Sequence, residues 1–184
     1  MAERVCPVWV GYLLASPVRK LFENPKKILR KYIKEGITVL DLGSAMGFFS
    51  IPAAHMVGPN GKVICIDVQE KMIEKLKKRA QRAGVIDRIE TIVCDENSLK
   101  LAECKNKIDF AFAFAVVHET SNVEAFFSET YDALKSNTKF LVAEPKGHVS
   151  DEDFKKTVAI AEQKGFKVIG RPKEGRNHVV LLEK

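Results

Sequence analysis

A short apolar run followed by alternating small residues constrains the fold of this 184-residue chain more than any other feature. The run covers residues 39–42, and the small residues after it are Gly43, Ala45 and Gly47. Such a pattern predicts a buried β-strand that turns sharply and enters a helix. Residues 63–67 repeat the apolar run and end at Asp67. A strand, a small-residue turn, a helix and a second strand that ends in an acid are typical of Rossmann-like folds.

The same pattern predicts a site for a cofactor that contains adenosine. In Rossmann-like folds the small residues let the backbone approach the ligand, and the terminal acid accepts hydrogen bonds from ribose hydroxyls. The dinucleotide fingerprint G-x-G-x-x-G would need glycines at positions 45 and 48, where this chain has Ala45 and Phe48. The glycine spacing therefore disfavours a nicotinamide-dependent oxidoreductase.

The spacing Asp41-x-Gly43-x-Ala45-x-Gly47 resembles motif I of the class I S-adenosylmethionine-dependent methyltransferases, an acid followed by three alternating glycines. Ala45 departs from that motif, because its Cβ disfavours a positive φ and narrows the approach to a ligand. The resemblance covers nearly all of residues 37–184 and looks closest to the small-molecule members that include the quinone-biosynthesis enzymes. It implies an α/β, Rossmann-like, doubly wound fold with a mostly parallel seven-stranded sheet and an antiparallel last strand.

The resemblance implies S-adenosylmethionine as the cofactor and assigns residues to it. Asp67 would accept hydrogen bonds from the ribose, Val68 would lie against the adenine, and Asp95 would bind the adenine amine. Acids at the ends of three successive predicted strands argue against the alternative that each is a solvated turn residue. The residues expected at the cofactor are Asp41, Gly43, Ser44, Ala45, Gly47, Asp67, Val68, Asp95, Glu96 and Ala113.

Catalytic side chains are expected after the fourth and fifth strands, because ligands bind at the carboxyl ends of strands in doubly wound sheets. Residues 115–120 and 144–148 bring two histidines and two glutamates to this edge, and the candidate catalytic residues are His118, Glu144 and His148. His118 is the first choice as a base, because imidazole titrates near neutral pH and family members often carry a histidine here. The alternatives are that His118 shapes the pocket or hydrogen-bonds Glu144. A metal site at these side chains is a weaker alternative, so no metal ligands are predicted.

The net charge of +6 is concentrated in residues 19–34 and 71–82. Both stretches place apolar residues at helical spacing, which predicts amphipathic helices whose basic residues face the solvent. Surfaces that bind nucleic acid usually interleave aromatic side chains, and these two largely do not. A nucleic-acid partner is therefore not required to explain the charge.

The remaining elements alternate between strands and helices, which predicts a parallel sheet. Strands are predicted at about 38–42, 62–67, 89–95, 108–115, 139–143, 166–170 and 178–182, and the last two form a hairpin. Helices are predicted at about 25–34, 47–57, 69–83, 121–134 and 150–165. A capping box is expected at Ser121-x-x-Glu124, and Ser150-x-x-Asp153 is expected to open the last helix.

Two regions are distinguished along the chain. Residues 1–35 are interpreted as an N-terminal helical lid that carries Cys6, Trp9 and Tyr12, and residues 36–184 as the S-adenosylmethionine-binding methyltransferase domain. The cysteines form no C-x-x-C pair and are expected to be reduced thiols: Cys6, Cys65, Cys94 and Cys104. No apolar run reaches the ~18–20 residues of a membrane span, and the N-terminus lacks a signal-peptide pattern. A cytoplasmic location is therefore expected.

The sequence thus predicts a methyltransferase that acts on a small molecule. A tRNA, rRNA or other nucleic-acid methyltransferase is one alternative, and a non-catalytic S-adenosylmethionine-binding protein is another. Enzymes that methylate base amines usually carry an Asn- or Asp-Pro-Pro-aromatic motif after the fourth strand, where this chain reads Ala115-Val116-Val117-His118. The sequence indicates neither the methyl acceptor nor the oligomeric state.

Overall fold

The computed structural model describes residues 24–184. The strands are β1 Thr38–Leu42, β2 Lys62–Asp67, β3 Ile89–Val93, β4 Ile108–Phe114, β5 Leu134–Pro145, β6 Lys167–Gly170 and β7 Asn177–Glu183. The helices are α1 Pro25–Leu29, α2 Ser50–Met56, α3 Glu70–Arg82, α4 Val123–Ala133 and α5 Asp151–Gln163. The predictions for Cys6, Trp9 and Tyr12 concern residues outside the described range.

The strands form a seven-stranded sheet in the order β3-β2-β1-β4-β5-β7-β6. β1, β2 and β3 pair in parallel, as do β4 and β5, whereas β7 is antiparallel to both β5 and β6. This is the predicted Rossmann-like, mostly parallel sheet with an antiparallel last strand. The described chain divides after Cys94 into two compact units.

The first unit contains β1, β2 and β3 with the helices between them. β1 and β2 are buried almost throughout, because their continuous apolar residues suit strands covered on both faces. α3 buries the four residues that its helical spacing predicts, namely Met72, Ile73, Leu76 and Ala80. Gly84 follows the helix with φ of 67°, the left-handed conformation that commonly ends a helix.

The second unit packs its sheet around phenylalanine side chains. The rings of Phe127, Phe140 and Phe166 are in mutual contact, with centroids 5.7 to 6.1 Å apart. The predicted start of α5 at Ser150 is confirmed: the Asp153 N–H donates to Ser150 Oγ at 3.1 Å, and Ser150 Oγ donates to Asp153 Oδ2 at 2.7 Å. β6 and β7 form the predicted hairpin.

Three predicted element ends in the first unit are wrong. α1 ends at Leu29 rather than near residue 34, and α2 begins at Ser50 rather than Gly47, because residues 45–49 form turns. Pro52 still falls in the first helical turn, where its missing N–H costs nothing. β3 ends at Val93, so Asp95 lies beyond the strand.

Two predictions in the second unit also need correction. The cap of α4 is Asn122 rather than Ser121, since the Asn122 side chain accepts the Ala125 N–H at 2.9 Å. β5 begins at Leu134 rather than near residue 139, and it accommodates Asn137 at φ of 60° beside a register shift against β4. Strand pairing therefore extends across a residue with left-handed backbone.

Cys65, Cys94 and Cys104 are buried and are not in disulfides. Among residues 24–184, no helix has the length and apolar character needed to cross a membrane.

Candidate active site

The turn after β1 adopts the backbone that its alternating small residues suggest. Gly43, Ala45 and Gly47 have φ of 73°, 45° and 82°, all in the left-handed region. The N–H groups of Gly43 and Ser44 both donate to the Ile66 carbonyl at 2.9 Å, which ties the turn to β2. We refer to residues 43–47 as the motif turn.

Ala45 is the strained position of the motif turn, because an L-residue in the left-handed region costs about 1–2 kcal/mol. We expect Ala45→Gly to raise the free energy of unfolding by up to ~1 kcal/mol, after the greater chain entropy of unfolded glycine is subtracted. Ala53→Gly, inside α2, is the matched control and should lower that free energy by ~1 kcal/mol or more. Urea denaturation measures both, and equal destabilisation by the two variants would contradict the strain.

Asp67 ends β2 beside this turn and is buried. Its Oδ2 accepts the Ala45 N–H at 2.8 Å, and its Oδ1 accepts the Gln69 N–H at 2.9 Å. Burial raises the pKa of this carboxyl, and the two backbone hydrogen bonds act in the opposite direction. Each carboxylate oxygen has capacity for a further donor, so Asp67 fits the predicted role of binding hydroxyl groups.

Ser44 and Asp41 are buried polar residues with different surroundings. The Ser44 hydroxyl is buried and has no hydrogen-bond partner among the described residues. Buried hydroxyl groups are nearly always hydrogen-bonded, so the Ser44 hydroxyl is suited to bind a polar group of a ligand at the motif turn. Asp41 accepts a hydrogen bond from Ser50 Oγ at 2.5 Å, and burial raises the pKa of Asp41 to about 7.

The other residues predicted to contact the cofactor differ in exposure. Val68 is partly exposed, whereas Asp95 and Glu96 are largely exposed. Asp95 forms an ion pair with Lys100 at 3.1 Å. Ala113 lies within β4 with no exposed surface.

Glu144 organises the candidate catalytic side chains of the second unit. It lies near the end of β5 and is 1% exposed. Its Oε1 accepts the backbone N–H groups of Val116 at 3.2 Å and Val117 at 2.8 Å, and its Oε2 is hydrogen-bonded to Nδ1 of His118. One buried carboxylate therefore holds both the segment after β4 and the imidazole that this segment carries.

His118 is oriented by this contact. A carboxylate only accepts, so Nδ1 carries a proton and the lone pair of the neutral ring lies on Nε2. The hydrogen bond to Glu144 raises the pKa of His118, against a smaller opposing effect of burial. The side chain is 25% exposed.

The remaining predicted members of this group also lie close to His118. Its Nε2 is 3.9 Å from Oε1 of Glu119, and its ring centroid is 6.0 Å from that of His148. The two histidines and two glutamates thus meet as the sequence predicts. Within residues 24–184, no three or more His, Cys, Asp or Glu side chains converge in a way that could hold a metal ion.

Two hydrogen bonds near the motif turn were not predicted from the sequence. Ser50 reaches Asp41 from α2, and Arg79 donates from Nη1 to the Met46 carbonyl at 2.8 Å. Arg79, like Lys75 of the same predicted basic surface, is therefore only partly exposed. Its neighbours on that surface, Lys71, Lys77, Lys78 and Arg82, are exposed as predicted.

Comparisons with known proteins agree with this geometry. A family model described as a methyltransferase domain matches residues 33–177. The ubiquinone/menaquinone biosynthesis C-methyltransferase UbiE of Escherichia fergusonii is 29% identical over 113 residues, 61% of this chain and 44% of that protein. Arsenite methyltransferase of Halobacterium salinarum is 28% identical over 121 residues, 66% of this chain and 30% of that protein.

A solved structure matches over a longer stretch. The crystal structure of a SAM-dependent methyltransferase from Aquifex aeolicus has a TM-score of 0.86 and 28% identity, and the match covers 97% of this chain and 98% of that one. By contrast, the chain spans less than half the length of the two curated relatives. The chain belongs to the methyltransferase-domain family, as a class I, S-adenosylmethionine-dependent member with relatives in quinone biosynthesis.

Proposed function

We propose that this protein transfers the methyl group of S-adenosylmethionine to a small molecule. The observation that carries the proposal is the motif turn with its buried Asp67: three left-handed residues permit close backbone approach, and a carboxylate with spare acceptor capacity lies beside them. The buried Ser44 hydroxyl supplies one more polar group for a ligand. Nothing in this arrangement requires a pyrophosphate.

Each group has a distinct role in the proposal. When bound, S-adenosylmethionine supplies a methyl group attached to a sulfonium, which is a good leaving group. Asp67 binds the ribose hydroxyls, and the motif turn lies along the methionine part. Nε2 of His118 removes the proton from an acceptor hydroxyl, amine or thiol, while Glu144 keeps Nδ1 protonated and the ring oriented.

A small-molecule acceptor is supported by the names of two relatives, which refer to ubiquinone/menaquinone biosynthesis and to arsenite. The lid role of residues 1–35, the domain bounds at 36–184 and the cytoplasmic location stay predictions. So do the cofactor roles of Val68, Asp95, Glu96 and Ala113.

The proposed activity is tested in two steps. Native mass spectrometry of the purified protein detects bound S-adenosylmethionine, and an assay for S-adenosylhomocysteine then follows transfer to quinols, phenols, thiols, arsenite and tRNA. Turnover with a small molecule supports the proposal. Turnover with tRNA alone would replace it with the nucleic-acid alternative, and cofactor binding without any turnover would favour a non-catalytic binding protein.

The role of Asp67 is tested separately by affinity. We expect Asp67→Asn to weaken binding of S-adenosylhomocysteine by about 1–3 kcal/mol, because charge-assisted hydrogen bonds to the ribose are lost. Asparagine retains one acceptor for the backbone, so the turn is disturbed less than by alanine. Isothermal titration calorimetry measures the change. Asp87→Asn, at an exposed position of the same unit, is the control, and equal affinities for all three proteins would refute the ribose assignment.

A further inference from the structure

Arg79 lies on α3 but is not oriented like its exposed basic neighbours. Its guanidinium is partly buried and donates from Nη1 to the backbone carbonyl of Met46 at 2.8 Å. Burial lowers the pKa of this guanidinium from its usual value. Removing a cation from water is costly, and the hydrogen bond to the carbonyl offsets part of that cost.

The Met46 carbonyl belongs to the motif turn. Its neighbours on either side, Ala45 and Gly47, both have left-handed backbone. Three N–H groups of the turn donate to β2: those of Gly43 and Ser44 to the Ile66 carbonyl, and that of Ala45 to Asp67. The hydrogen bond to Arg79 therefore anchors the turn to a second element, through a carbonyl rather than an N–H group.

α3 contacts the same turn through a second side chain. A Cβ built on Gly47 would lie 3.1 Å from Cγ of Leu76, which is fully buried. Leu76 precedes Arg79 by three residues, a spacing that places both side chains on one helix face. The helix thus holds the turn by an apolar contact and a charged hydrogen bond on neighbouring helical turns.

We infer that Arg79 is a positioning residue that holds the motif turn in its cofactor-binding conformation before the cofactor binds. The inference rests on the proposed function, because that function assigns the turn to S-adenosylmethionine. A turn that is already ordered loses less conformational freedom on binding, and this raises affinity without any direct contact to the ligand. Arg79 reaches the site through Met46 and does not take part in the chemical step.

The test compares Arg79→Met with two matched variants. Arg79→Lys keeps a donor and a charge, and Arg82→Met removes the same charge from an exposed position one turn further along α3. We expect Arg79→Met to bind S-adenosylhomocysteine about tenfold more weakly, as for the loss of one charged hydrogen bond. Arg79→Lys should recover most of that affinity, and Arg82→Met should match the wild type. With an accepted substrate, kcat at saturating cofactor should stay unchanged.

Hydrogen exchange of the free protein provides a readout without any ligand. The amides of the motif turn, residues 43–47, should exchange faster in Arg79→Met than in the wild type, while amides of β2 should be unaffected. Thermal melting identifies the temperature range in which every variant is folded. The inference would be overturned if Arg79→Met had the affinity and the motif-turn exchange rates of the wild type. It would also be overturned if Arg82→Met weakened binding as much as Arg79→Met does. Failure of the wild type to bind the ligand would instead overturn the proposed function, and turn exchange would still decide whether Arg79 orders the turn.

Discussion

Replacement of His118 by alanine is expected to lower kcat by about 10²–10⁴-fold for a hydroxyl, amine or thiol acceptor, the usual contribution of a positioned base. Affinity for the cofactor should change little, because the proposed role of His118 concerns the acceptor. Steady-state kinetics together with calorimetry separate the two effects. His55→Ala, at an exposed position of α2, is the control. Unchanged kcat in His118→Ala would show that the histidine only shapes the site or that the acceptor needs no base.

The pH dependence of kcat distinguishes a base from a packing residue. His118 must be neutral to accept a proton, and the hydrogen bond to Glu144 raises its pKa above the ordinary 6.5. Activity should therefore increase with pH through a pKa higher than 6.5. Glu144→Gln removes the negative partner, lowers the pKa of His118 and should move this acidic limb to lower pH. An acidic limb that does not move in Glu144→Gln would exclude the proposed pair.

The stability of the protein should fall as pH rises toward neutrality because of Asp41. Burial raises the pKa of Asp41 from 3.8 to about 7, although the Ser50 hydrogen bond lowers it in part. Between these two pH values the folded protein keeps a proton that the unfolded chain has released, so unfolding becomes more favourable with increasing pH. The difference between the folded and unfolded pKa of Asp41 corresponds to a loss of roughly 4 kcal/mol of unfolding free energy, and this loss is complete above about pH 7.

Asp41→Asn isolates this effect, because an amide does not titrate and can still accept from Ser50. We therefore compare the unfolding free energies of Asp41→Asn and the wild type at each pH. The variant should gain roughly 4 kcal/mol relative to the wild type between about pH 4 and about pH 8. Urea denaturation across that range measures it. Asp87→Asn, an exposed acid, controls for the loss of one charge. A constant difference between Asp41→Asn and the wild type would show that Asp41 is ionised in the folded protein.

The local sequence was sufficient to predict the bounds of an element where those bounds depend only on residues within that element. The bounds of β1 and β2 agree with the apolar runs from Thr38 to Leu42 and from Lys62 to Asp67, and the cap of α5 follows from Ser150 and Asp153. It was insufficient at the cap of α4, where Ser121 and Asn122 stand side by side and both are good caps. Which of them begins the helix depends on where the preceding segment ends, and that is not a local property.

The sequence by itself determined the order of strands and helices, the family and the positions of the motif turn and of Asp67, because periodicity and glycine spacing are local signals. The tertiary structure alone decided which groups meet. Ser50 bonds Asp41 nine residues away, Glu144 bonds the Val117 amide 27 residues away, and Arg79 bonds the Met46 carbonyl 33 residues away. Such contacts depend on which segments of the folded chain lie side by side, so the spacing of basic residues along α3 could not show that Arg79 hydrogen-bonds the Met46 carbonyl.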